Sequence, residues 1–135
     1  MLKNFSKWFA LKKSVHEADG TALFHEREIW WCILGVNVGF EIDGSGSGFA
    51  RPVVIIKKFN LDTCIVMPLT GKVKKGKYYF HVGIVDGREA SAVLSQLRLI
   101  DRKRLTKKIE TMPKILFKEL LAATVHTNFI YDNNR

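Results

Sequence analysis

Arg51-Pro52-Val53-Val54-Ile55-Ile56 decides the fold class. Val53 to Ile56 are all β-branched, which costs rotamer freedom in a helix and suits a pleated surface. Pro52 has no amide to give a sheet ladder, yet it is tolerated at a strand's first position, so the run reads as a buried strand opened by a proline. Just upstream, Asp43-Gly44-Ser45-Gly46-Ser47-Gly48 reads as a flexible loop of small, permissive residues that ends at Phe49-Ala50-Arg51. Arg51 therefore stands where a loop meets a strand.

The same reading extends in both directions. From Glu28 onward, short β-rich runs are separated by turn residues, as in a sheet or small barrel. Strands are expected over residues 29–38, 52–56, 63–69, 78–85 and 92–100, with a shorter one through Ile109. Lys74-Lys75-Gly76-Lys77 reads as a hairpin turn, Asp86-Gly87 as a second turn, and residues 101–104 as a charged turn. Met112-Pro113 opens a helix over residues 114 to about 128, whose apolar face is read as Ile115, Leu116, Leu120, Leu121, Ala123 and Val125. At the other end, Leu2, Phe5, Trp8, Phe9, Lys12 and Val15 fall at helical spacings, giving an amphipathic helix that ends near Gly20 and packs on the barrel. A membrane-surface helix is the competing reading, weakened by the acidic flank Glu17-Ala18-Asp19-Gly20. The expected architecture is mainly β (α+β). It comprises an N-terminal helical extension over residues 1–22, a barrel domain with its C-terminal helix over 23–130, and a frayed tail over 131–135.

A chain of 135 residues has room for one ordinary core. Lys and Arg number 22 against 13 Asp and Glu, a net charge of +9 that attracts phosphate backbones or acidic proteins. The longest apolar run, residues 29–40, is too short to span a bilayer, and no secretory cleavage pattern follows the N-terminus, so a cytoplasmic address with no membrane partner is expected. Cys32 and Cys64 each lie inside an apolar stretch and read as reduced core residues. His16, His25, His81 and His126 stand far apart, so none is assigned to a metal; His81, in a strand beside the basic turn, is the one placed to serve a titrating role. Phosphate-binding loops, dinucleotide fingerprints, nucleophile elbows and zinc patterns are missing from the sequence, and no cofactor or metal is expected.

Taken in order, Arg27-Glu28-Ile29-Trp30, Gly39-Phe40-Glu41, Arg51-Pro52-Val53-Val54-Ile55-Ile56, Val66-Met67-Pro68-Leu69-Thr70 and Leu94-Ser95-Gln96-Leu97-Arg98-Leu99-Ile100-Asp101 resemble successive motifs of the PemK/MazF toxins. Each motif alone is weak; the ordered set, spanning about residue 24 to 129, carries the resemblance. It implies an SH3-like barrel that forms a homodimer and binds single-stranded RNA in a groove between loops of the two subunits. It also implies endoribonuclease cleavage by the RNA's own 2′-hydroxyl, leaving a 2′,3′-cyclic phosphate and a 5′-hydroxyl, with a cognate antitoxin as the restraining partner.

Residue by residue, the resemblance places Arg51 and Thr70 as the catalytic pair. A guanidinium is always charged and matches the planar fork of a phosphate, and a threonine hydroxyl can donate to a phosphate oxygen. Glu41, Phe49, Lys57, Gln96 and Arg98 are the candidate RNA-binding residues. Glu41 would orient Arg51 through an ion pair, Phe49 would stack an unpaired base, and Gln96 would read a base edge. Phe40 reads as core, and Lys57, Lys58, Lys72, Lys74, Lys75 and Lys77 as an electrostatic funnel. The sequence departs from the family pattern in the extra Gly-Ser stretch before Arg51, in Ile42, and in the N-terminal helix. The alternative is a non-enzymatic toxin or binding module on the same barrel, such as one that grips DNA gyrase.

Overall fold

A computed structural model describes residues 2–131. The order is helix α1 (Phe5–Glu17), strands β1 (Glu28–Ile33), β2 (Ala50–Lys58), β3 (Thr63–Thr70), β4 (Tyr79–Val85), β5 (Arg88–Val93) and β6 (Arg98–Asp101), a single 3₁₀ turn (Arg102–Arg104), β7 (Leu105–Thr111), and helix α2 (Lys114–Phe129). All pairings are antiparallel and run β4-β5-β3-β2-β1-β7, with β6 also on β3. Strands β6 and β7 sit on opposite flanks of this sheet yet are joined by three residues, so the sheet has to curl. The fold is mainly β, a curled sheet with a helix at each end of the chain.

Both faces of the central strands are buried, which explains the unbroken apolar run in β2. Val53 and Ile55 point inside the curl with Trp30, Val66, Ile100 and Leu105. Val54 points outward with Ile29, Met67 and Leu69 against Phe117 and Leu120 of α2. Full burial of each such Val or Ile contributes about 1.5–3 kcal/mol. Cys32 and Cys64 are buried free thiols on the inner face, pushed up to about 12 and about 11 by burial.

Several expectations are corrected. Strand β1 stops at Ile33 rather than continuing to residue 38, because Gly35 takes a φ of 77° and sends the chain into a loop. The single strand over 92–100 is two strands: Gln96 N bonds Val93 O at 3.1 Å in the turn between β5 and β6, and both lie on one edge of β3, at Leu69–Thr70 and Thr63–Val66 respectively. Lys74 to Lys77 is not a hairpin turn, since β4 pairs with β5 and not with β3. The segment 43–48 is closed rather than loose. Ser45 and Ala50 exchange backbone hydrogen bonds at 2.9 and 3.1 Å, and Gly44 N donates to Gly35 O at 2.9 Å. On α2 the buried residues are Phe117, Leu120 and Thr124, while Ile115 and Val125 are exposed. Helix α1 ends at Glu17, before Gly20, and is anchored by Trp8 against Val36 and Phe49. Most of the expected tail, from residue 132, lies outside the described residues.

Candidate active site

Strand β2 delivers Arg51 and strand β3 delivers Thr70 to one cleft of about 410 Å³, whose other walls include Trp31, Pro52, Arg88 and Glu89. Arg51 is half-buried, and its side chain is held by backbone. Nε donates to Asp43 O at 2.8 Å and Nη1 donates to Leu69 O at 3.3 Å, the residue before Thr70. Burial pulls the guanidinium below its usual range and the Asp43 carboxylate opposes that pull; an arginine stays charged through such a shift. Two of its five N–H groups are therefore committed to carbonyls, and the remaining donors are left for a ligand in the cleft. Thr70 pairs across the sheet with Ser91, which in turn pairs with His81, so the three fall in one cross-strand row. His81 Nε2 lies 2.6 Å from Glu89 Oε2, which ties the histidine singled out in the sequence to the wall of the cleft.

Glu41, Gln96 and Arg98 meet in a second hollow of about 280 Å³ with Asn37, Ile42 and Leu97. There Gln96 bridges to the segment preceding β2: its Oε1 accepts from Ile42 N at 3.1 Å and its Nε2 donates to Phe40 O at 3.1 Å. Arg98 Nη1 donates to Leu34 O at 3.3 Å.

Other expected contacts and placements differ in the structure. Glu41 makes no ion pair with Arg51; its Oε1 caps the Val38 amide at 2.9 Å, and Asp43 takes the position beside the arginine. Phe49 is no open stacking platform, because it is buried under α1 with its ring 5.7 Å from that of Trp8. Phe40, read as core, is exposed. Lys57 lies at the far end of β2, 3.8 Å from Glu26, away from both hollows. By contrast Gly71, directly after Thr70, lines the cleft, and the exposed lysines 72, 74, 75 and 77 follow it.

Sequence reasoning missed Asp43, Trp31 and Glu89. Asp43 holds Arg51 through a backbone carbonyl, which leaves no mark in sequence, and Trp31 reaches the cleft through its register opposite Pro52, which only the paired strands reveal. Among the described residues no group of three or more His, Cys, Asp or Glu converges as metal ligands would, and no helix is long and apolar enough to cross a membrane.

A family model described as PemK-like, MazF-like toxin of type II toxin-antitoxin system matches residues 25–126. The fold resembles that of MazF from Deinococcus radiodurans, with a TM-score of 0.66 and 14% identity over 82% of this chain and 100% of that one. It also resembles Mycobacterium tuberculosis toxin MazF-mt6, with a TM-score of 0.61 and 17% identity over 78% and 100% of the two chains. An endoribonuclease in complex with its cognate antitoxin from a Mycobacterial species aligns with a TM-score of 0.57 and 11% identity over 79% and 97%.

Proposed function

This chain belongs to the PemK-like, MazF-like toxins of type II toxin-antitoxin systems, and from that membership we propose that it is an endoribonuclease that cuts single-stranded RNA without a metal. The observation that carries the reading is Arg51, half-buried and held by two carbonyls in the cleft it shares with Thr70. Cleavage in place leaves little covalent work to the protein. The ribose 2′-oxygen loses its proton and bonds to the adjacent phosphorus, the bond to the 5′-oxygen breaks, and that oxygen takes up a proton. The products are a 2′,3′-cyclic phosphate and a 5′-hydroxyl. Negative charge builds on the non-bridging oxygens in the transition state, and a fixed cationic donor in a partly dry cleft stabilises it. Arg51 supplies that donor, pre-set by Asp43 and Leu69. Thr70 adds a hydroxyl that donates to the same phosphate. Gln96 and Arg98, in the second hollow, would meet a flanking nucleotide, and the lysines after Gly71 would draw in the backbone.

The working form is a cytoplasmic homodimer, restrained by a cognate antitoxin whose acidic, disordered segment covers this basic surface. The test is incubation of the purified protein with an end-labelled RNA of mixed sequence in EDTA, with chemical mapping of the product ends. Cyclic phosphate and 5′-hydroxyl termini are expected. Intact RNA with well-folded protein would turn attention to the alternative, a toxin that binds a protein target such as DNA gyrase.

A further inference from the structure

The contacts that aim Arg51 begin outside the matched segment, near the N-terminus. Asp43 is the node. Its carbonyl oxygen accepts from Arg51 Nε at 2.8 Å, and its carboxylate accepts from the Asn37 amide at 2.7 Å. The same carboxylate lies 3.1 Å from Lys3 Nζ, which also donates to the carbonyls of Asn37 at 2.7 Å and Gly39 at 2.8 Å. All three N–H donors of the ammonium are thereby engaged, on a side chain only 10% exposed. An exposed ion pair would contribute little; this one is shielded and ties together both ends of the loop from 37 to 43.

Helix α1 holds Lys3 in that place. Asn4 caps the helix by accepting from Lys7 N at 3.1 Å, and Trp8 lies so close over Gly35 that a Cβ there would fall 2.1 Å from the indole. Gly35 in turn accepts from Gly44 N at 2.9 Å and donates to Phe49 O at 3.1 Å. Trp8 and Lys3 thus grip the two ends of the segment whose last carbonyl receives Arg51, and neither residue lines the cleft.

We infer that Lys3 is a positioning residue for Arg51: through Asp43 it locks the 35–43 segment that fixes the guanidinium in the cleft. Its kinetic consequence rests on the ribonuclease reading of that cleft, while its geometric consequence does not. Without the Lys3 ammonium, two carbonyls lose a donor, the Asp43 carboxylate loses its cation, and the carbonyl facing Arg51 Nε is no longer held in place. Small misplacements of a catalytic group cost rate rather than affinity.

The 135-residue chain is compared with its Lys3→Met, Lys3→Arg, Asp43→Asn and Lys3→Met/Asp43→Asn variants. Solvent exchange of the Arg51 Nε–H, followed by nitrogen-15 NMR without RNA, should quicken about tenfold in Lys3→Met. Single-turnover cleavage at saturating enzyme should fall roughly tenfold to a hundredfold, with KM within about twofold. Lys3→Arg, which keeps charge and donors, should recover most of the rate. Asp43→Asn should lose a similar factor, and the double variant should lose little more than either single one. Unchanged Nε–H exchange in a folded Lys3→Met protein, or additive losses in the double variant, would overturn the inference. Should Lys3→Met not fold, exchange in Asp43→Asn decides the question. Should the wild type cleave no RNA, the ribonuclease reading fails alone and the exchange measurement still judges Lys3.

Discussion

Glu28 is the only charged residue in the buried set among the described residues, and it is fully engaged. Its Oε1 accepts from the Trp30 indole at 3.0 Å and from the His25 amide at 2.8 Å, and its Oε2 lies 3.1 Å from Lys108 Nζ. Burial raises its pKa, but those donors and the Lys108 charge together draw it below the usual carboxylate range. A carboxylate lowered on folding stabilises fully above its unfolded value of about 4.3, and that contribution is lost as pH falls through the lower folded value. Glu28→Gln should therefore be less stable than wild type by about 1–3 kcal/mol near neutral pH, and urea titrations should find the gap closing as pH falls below the unfolded value of about 4.3. A gap independent of pH would contradict this. The same residue stands in the Arg27-Glu28-Ile29-Trp30 motif, so its place in the chain was legible while its partners were not. Arg51 and Thr70 were likewise named from motif position, and the structure brings them to one cleft. Phe49 was misjudged because its partner, Trp8, belongs to a distant helix that no local pattern links to it, whereas Glu41 turns back on the Val38 amide three residues before it, a local cap that competes with an ion pair to Arg51.

At the scale of elements, strands were easier to place than their ends. Apolar runs marked β2, β3 and β4 closely, but a strand's limits depend on its partners: β3 offers one edge to both β5 and β6, which splits the stretch 92–100 at residues 94–97, around the polar pair Ser95-Gln96. The Gly-Ser stretch misled for a related reason, since glycine permits a tight closure as readily as looseness. A Cβ at Gly44 would sit 1.7 Å from Phe49 O, inside the hydrogen-bonded closure that precedes Arg51, whereas a Cβ at Gly48 would meet nothing within 4 Å. Gly44→Ala should cost about 1–3 kcal/mol and Gly48→Ala less than about 0.5 kcal/mol. Thermal melts of the two variants side by side check this, and equal melting temperatures would mean that the closure is not needed.

For the molecule as a whole, the net charge of +9 matters through where it is placed. Lys72, Lys74, Lys75 and Lys77 are exposed and follow directly on the cleft at Gly71, while Lys57 stands at the far end of β2, 3.8 Å from Glu26. Counterion release makes single-strand affinity fall with salt by a slope of roughly 0.7 per neutralised phosphate. Lys74→Ala with Lys75→Ala should weaken RNA binding at low salt and flatten that slope by roughly 1 to 1.5. The cleavage rate at saturation should stay as in wild type. Fluorescence anisotropy across a salt series reads the slope directly, and an unchanged slope would remove these lysines from the RNA path. The sign of the charge was plain in the sequence; its focus beside one cleft was not, because it depends on β3 ending there.

The most direct test is single-turnover cleavage of one RNA in EDTA by wild type and Arg51→Ala, each at saturating concentration, with binding measured in parallel. The cleft reading predicts a loss of roughly a hundredfold or more in rate with affinity within about threefold. Cleavage undiminished in Arg51→Ala would contradict it and place the chemistry elsewhere on the molecule.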